Sequence, residues 1–101
     1  MRHLVHIILP HEPFNTLVRN GTAGEMLQQV IAETKPEAIY FSEMGGTRGA
    51  VAVYDIAKAS DIPSIAEPWF LAFEADTEFR IAMTPEDLGA AGLEELGKKW
   101  G

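Results

Sequence analysis

The chain has 101 residues, 47% of them hydrophobic, with 15 acidic side chains against 8 basic ones and no cysteine. That length holds a single domain, and the apolar share is that of a folded chain rather than a disordered one. A net charge of −7 without a Lys/Arg stripe argues against nucleic acid or an anionic membrane surface as partner. Without cysteine there are no disulfides, thiolate metal sites or cysteine nucleophiles, and the expected location is the cytoplasm.

The N-terminal run MRHLVHIILPHEP has neither a long apolar core nor a small-residue cleavage site, so it reads as a strand rather than a signal peptide. No stretch approaches the roughly 20 apolar residues of a membrane span. Arg2–Leu9 is the first expected strand, ended by Pro10 and Pro13. From Phe14 to Glu33 the pattern is helical, but Phe14, Leu17 and Val18 form one stripe and Leu27, Val30 and Ile31 another. At about 100° per residue the two stripes point in nearly opposite directions. A break is therefore expected at Asn20-Gly21, with Thr22 and Glu25 as a capping box and the main helix over Ala23–Thr34.

Pro36 ends that helix and releases a strand at Glu37–Met44. The glycine-rich loop Gly45-Gly46-Thr47-Arg48-Gly49 turns it into a second strand at Ala50–Ile56. Ser60 or Asp61 can cap the next helix, whose apolar positions Ile62, Ile65, Ala66, Trp69, Phe70 and Phe73 follow helical spacing. Pro68 is expected to bend it. Thr77–Met83 is the fourth strand. Thr84-Pro85-Glu86-Asp87 starts a last helix carrying Leu88, Leu93, Leu96 and Trp100, with Lys98 and Lys99 at its C-terminal end.

Alternation along strands sorts their side chains into two faces. One set is Val5, Ile7, Leu9, Ile39, Phe41, Val51, Val53, Phe79, Ile81 and Met83, uniformly apolar and suited to a cover of two helices. The other contains Leu4, His6, Ile8, Tyr40, Ser42, Met44, Ala50, Ala52, Tyr54, Glu78, Arg80 and Ala82. This second face is too apolar for open water and too polar for a core. A second sheet stacked on it, from another copy of the chain, accounts for the mixture.

The order β-α-β-β-α-β plus a final helix, together with the run AEPWFLAFEADTEFRIAMTPEDLGAAGLEELGKKW, resembles small bacterial members of the ferredoxin-like dimeric α+β-barrel superfamily. The resemblance spans nearly the whole chain but rests on structural rather than catalytic motifs. It implies an α+β fold with an antiparallel sheet in the order 4-1-3-2, and a homodimer joined through sheet faces. Relatives include muconolactone isomerase, cofactor-free antibiotic-biosynthesis monooxygenases, haem-degrading monooxygenases and stress-responsive members; with His6 on the wrong side and no His expected on a helix to hold haem, no cofactor is expected, and no catalytic residue is carried over.

The candidate chemistry gathers on the mixed face. His6, on a central strand, is the candidate general base or acid, with Arg80 as the clamp for an anion and Tyr54 as an orienting group. Tyr40, Ser42 and Glu78 are candidate ligand contacts, and Arg48 a mobile anion hook over a cavity mouth. His3 and His6 are an odd interval apart and there is no HExxH, so no metal site is expected. GGTRG lacks the ending of a phosphate loop and joins two strands. Two functions fit. One is a cofactor-independent enzyme, isomerase- or monooxygenase-like, acting on a small organic acid. The other is a non-catalytic small-ligand-binding or interaction module whose polar sheet face stabilises the dimer.

Overall fold

Val, Ile and Leu crowd the first strand, and the fold places it where both edges are paired. A computed structural model describes residues 1–101. β1 (Arg2–Leu9) is followed by α1 (His11–Asn20), α2 (Ala23–Thr34), β2 (Ala38–Met44) and β3 (Thr47–Asp55). Then come α3 (Asp61–Phe73), β4 (Asp76–Ile81), α4 (Pro85–Gly89) and α5 (Leu93–Trp100). The strands form one antiparallel sheet in the order β2-β3-β1-β4, which is the expected order read from the other edge. This is the ferredoxin-like α+β topology with a C-terminal helical extension.

The core lies between one face of this sheet and α1–α3. Val5, Ile7 and Leu9 of β1 are at most 1% exposed, and Ala50 and Ala52 of β3 are fully buried beside them. From the helix side come Phe14, Val30, Ile65, Trp69 and Phe73. Trp69 and Phe73 are fully buried; a ring of that kind removes about 150–250 Å² from water, or roughly 4–6 kcal/mol of transfer free energy before entropy is counted. The alanines on β3 are thus small for a reason: they face the same core as the two largest rings.

The hairpin is tighter than its composition suggests. Only Gly45 and Gly46 turn, both with positive φ (61° and 82°), while Thr47 and Arg48 already pair with Met44 and Glu43. Such a two-residue turn matches the twist of the strands it joins. Its register sets Ala52 opposite both Val5 and Ile39, and Tyr54 opposite His3. The expected faces of β3 are therefore exchanged: Ala50, Ala52 and Tyr54 point to the helices, and Val51 and Val53 to the other side. Apolarity alone assigned the valines to the core; the turn length overrides it.

Local signals fared unequally. The helices do part at Asn20-Gly21, where Gly21 N donates to Val18 O (3.0 Å) and Thr22 N to Leu17 O (2.9 Å). That closure draws Thr22 back onto α1, its hydroxyl reaching Leu17 O at 3.4 Å, so the expected cap on α2 does not form. At the start of α1, Glu12 is extended and its carboxylate accepts from the backbone N–H and hydroxyl of Thr16 (2.9 and 2.6 Å). The Thr84 capping box is present, but with Asp87: Asp87 N donates to Thr84 Oγ1 (3.1 Å) and Thr84 N to Asp87 Oδ2 (3.0 Å). α3 continues through Pro68, and the single last helix is in fact two, parted at Gly92 (φ 73°). Neither α4 nor α5 has a buried residue. The radius of gyration is 17.2 Å, against about 13 Å for a compact chain of this length, because this segment projects.

Tyr54 is 1% exposed; its hydroxyl lies 2.7 Å from Thr34 Oγ1 and accepts from Trp69 Nε1 at 3.3 Å. Tyr54→Phe leaves the indole N–H without an acceptor in the core. We expect it to lower stability by about 1–3 kcal/mol in urea unfolding, with no change in the properties of the opposite sheet face.

Candidate functional site

Helices cover one side of the sheet, and the other side is bare. Pairing register arranges the bare face in rows across the strands. Its central row is Tyr40, Val51, His6 and Glu78. The row on one side is Ala38, Val53, Leu4 and Arg80, and on the other Ser42, Gly49, Ile8 and Asp76. Five of the seven expected site residues thus share this face: His6, Arg80, Glu78, Tyr40 and Ser42. Leu4, Ile8, Val51 and Val53 run through them as an apolar band, half-buried or, for Leu4, 39% exposed.

His6 is half-buried between Val51 and Glu78. Arg80 donates to Glu78 Oε1 through both Nε (2.9 Å) and Nη2 (2.7 Å). These bonds and the guanidinium charge hold the Glu78 carboxyl below its ordinary range, with a smaller contribution from His6. Both partners of the pair are exposed, so its effect on stability is small. Arg80 still has unused N–H groups for an incoming anion. Tyr40 is 73% exposed at the free edge of β2. A second ion pair, Arg2 Nε to Glu37 Oε2 at 2.9 Å, borders the face at one end.

Two expected site residues lie elsewhere. Tyr54 is on the helix side, sealed by Thr34 and Trp69, and cannot orient anything bound near His6. Arg48 is not a mobile loop side chain: as the second residue of β3 it donates to Asn15 Oδ1 at 2.8 Å and sits 4.7 Å from the Phe14 ring centroid. It ties β3 to α1. Met44 folds over the bare backbone of Gly49, where a Cβ would come within 2.5 Å of its Cε.

His3 and His6 occupy opposite faces of β1, and no three His, Asp or Glu side chains come together as metal ligands. His3, weighed from the sequence only as a metal ligand, lies on the helix side of the sheet opposite Tyr54. It is 8% exposed, with Nδ1 3.1 Å from Met1 O, and borders a 190 Å³ cleft with Ile56 and Ile62. Its parity with Val5 was the signal. The largest cleft, 680 Å³, lies along the outer surface of α2 among Thr22, Glu25, Met26, Gln28 and Gln29, remote from this chemistry. None of the three clefts includes His6. In one chain His6 sits on a surface, not in a pocket. No helix is long and apolar enough to cross a membrane.

No protein-family model matches the chain, and no curated protein matches it. Among solved structures it is similar to the crystal structure of protein Atu4242 from Agrobacterium tumefaciens. The two share 13% identity over 84% of this chain and 96% of that one, with a TM-score of 0.41.

The Glu78–Arg80 pair has a direct readout. Because the folded carboxyl titrates below its unfolded value, the pair contributes above the unfolded pKa and is lost as pH falls through the folded one. A carboxyl-carbon NMR titration should place Glu78 lower than solvent-exposed, unpaired glutamates, and Arg80→Ala should return it to their range. An unchanged Glu78 midpoint in that variant would mean that the pair does not persist in solution.

Proposed function

We propose that this protein is a homodimeric small-ligand-binding module of the dimeric α+β-barrel type. Its bare sheet faces stack on each other and enclose a chamber lined by His6, Glu78, Arg80, Tyr40 and Ser42. One observation carries the reading: helices cover only one face of the sheet, yet an apolar band of Leu4, Ile8, Val51 and Val53 crosses the other. An antiparallel sheet face left in water is normally polar along its length, and a contiguous apolar patch on a surface marks an interaction site. A second sheet stacked about 10 Å away would cover the band and convert the flat surroundings of His6 into an enclosed space. The ligand class follows from the donors: a small organic anion, its charge on Arg80 and its remaining oxygens on Tyr40, Ser42 and His6.

The register itself supports a second reading, cofactor-independent catalysis on a small organic acid. His6 and Glu78 are register partners on β1 and β4, so a carboxylate lies beside the imidazole while accepting from Arg80. His6 would act as base or acid and Arg80 would hold the developing negative charge.

Dimerisation and binding are tested separately. Light scattering should give twice the 11.1 kDa chain mass. Val51→Arg should give monomers with an unchanged circular dichroism spectrum; a Val51→Arg protein that stays dimeric would rule out the paired faces. His6→Ala and Arg80→Ala should keep fold and dimer while weakening binding of a malonate probe by tenfold or more, on the order of 1.4 kcal/mol. If both variants instead dissociate or unfold with no effect on probe binding, the face is structural only. Catalysis is distinguished from binding by hydrogen–deuterium exchange at the malonate methylene. Exchange above the buffer rate, lost in His6→Gln, would favour the enzyme.

A further inference from the structure

One buried imidazole in this chain has an open nitrogen. His3 is 8% exposed on the helix side of β1, with Tyr54 and Ile81 as its register partners. Phe79 packs T-shaped against it, with ring centroids 6.5 Å apart. Met1 O accepts from Ile56 N at 2.8 Å and lies 3.1 Å from His3 Nδ1. A carbonyl oxygen only accepts, so Nδ1 carries the proton of that bond and the neutral ring keeps its lone pair on Nε2. Nε2 makes no hydrogen bond within the chain. Because no enclosed side-chain nitrogen or oxygen is without a partner, Nε2 meets the open space beside the ring.

That space is the 190 Å³ cleft at the start of β1. Met1 and His3 form one side; the other is Ile56, the Ala57-Lys58-Ala59 turn and Ile62 in the first turn of α3. The turn is tied to the helix: Asp61 N donates to Lys58 O (2.9 Å), Ile62 N to Ala59 O (3.1 Å) and Lys58 N to Asp61 Oδ2 (3.3 Å). These bonds use the first amides of α3, and Pro63 has none, so what the cleft offers a ligand is side chains. Its walls are set in place before anything binds, which lowers the entropic cost of binding.

Size, lining and charge together select the ligand. An apolar cavity of about 150 Å³ holds a benzene ring, so 190 Å³ takes one six-membered ring with small substituents. Ile56, Ile62 and the two alanines suit the faces of such a ring, and a rigid ring loses less freedom on binding than a flexible chain of the same volume. Nε2 is an acceptor, so the ring must carry a donor there, and a hydroxyl is the smallest. Lys58 is exposed and makes no ion pair, and no acidic residue is among the walls. Its ammonium favours a negative charge at the outer end of the ring.

We infer that this cleft binds a small phenol bearing an acid group. The ring lies against Ile56 and Ile62, the hydroxyl donates to His3 Nε2, and the carboxylate points toward Lys58. The site is complete in one chain and lies on the opposite side of the sheet from His6. It does not depend on the paired sheets proposed above. His3 acts there as a hydrogen-bond acceptor, and no bond is made or broken in the ligand.

The test uses 4-hydroxybenzoate as probe, with benzoate and 4-methoxybenzoate as controls that lack the donor. In amide NMR titrations of the full chain, the probe should shift His3, Ile56, Ala59 and Ile62 and bind at least fivefold tighter than either control. Simple apolar burial predicts the reverse order, so benzoate binding as tightly as the probe would overturn the hydroxyl contact. His3→Leu should abolish the preference for the hydroxyl, and Lys58→Gln should weaken the probe at least threefold while leaving phenol unchanged. Should His3→Leu fail to fold, the comparison of probe and controls on the unaltered chain still decides. Shifts centred on Leu4, Val51 and Arg80 would place the probe on the bare face and overturn the site, as would the absence of shifts at millimolar probe. Nitrogen-15 shifts of the imidazole check the premise: a neutral His3 ring with its proton on Nε2 would overturn the acceptor.

Discussion

The two-residue turn at Gly45-Gly46 determines more of this molecule than any other pair of positions. Both residues have positive φ, which glycine adopts without the steric cost borne by a side chain. The turn sets Met44 against Thr47, and the ladder then places Ala50 and Ala52 beside Ile7 and Val5. That register provides room for Trp69 and Phe73 in the core and directs Val51 and Val53 to the bare face. A shift of one residue would exchange the two sets and expose Tyr54, whose hydroxyl is satisfied only beneath the helices.

The same register gives the bare face its character. Were β3 to present Ala50, Ala52 and Tyr54 there, the face would be small and polar around His6. With Val51 and Val53 it is a band of branched apolar side chains with His6 at its middle and ion pairs toward its margins. Charge is therefore arranged peripherally: Arg2–Glu37 at one end and Glu78–Arg80 on the edge strand. Exposed pairs of this kind add little stability. In the proposed paired sheet they would steer the approaching face rather than hold it.

Much of the fold was legible because its signals are local. The Val, Ile and Leu run of β1, the helical spacing from Ile62 to Phe73, and the Pro and Gly punctuation each specify an element without reference to the rest of the chain. Thr84 and Asp87 cap α4 because the cap needs only residues three apart. Thr22 failed as a cap because the end of the preceding helix claimed its N–H and hydroxyl first. Arg48 was read as a loop residue because five turn-like residues looked like a five-residue turn.

The candidate site divides along the same line. His6, Arg80, Glu78, Tyr40 and Ser42 share a face because alternation within each strand, followed by pairing, brings them there. Tyr54 and Arg48 do not, because their positions depend on a turn length and on partners in α1, α2 and α3. By itself the sequence determined the elements, their order and the one-sided periodicity of the sheet, since these follow from backbone preference and side-chain spacing over a few residues. Only the tertiary structure decided which side of β3 is buried, that His6 lies on an open surface rather than in a pocket, and that the last two helices stand clear of the domain. Those outcomes depend on register and packing between distant segments, which no local pattern encodes.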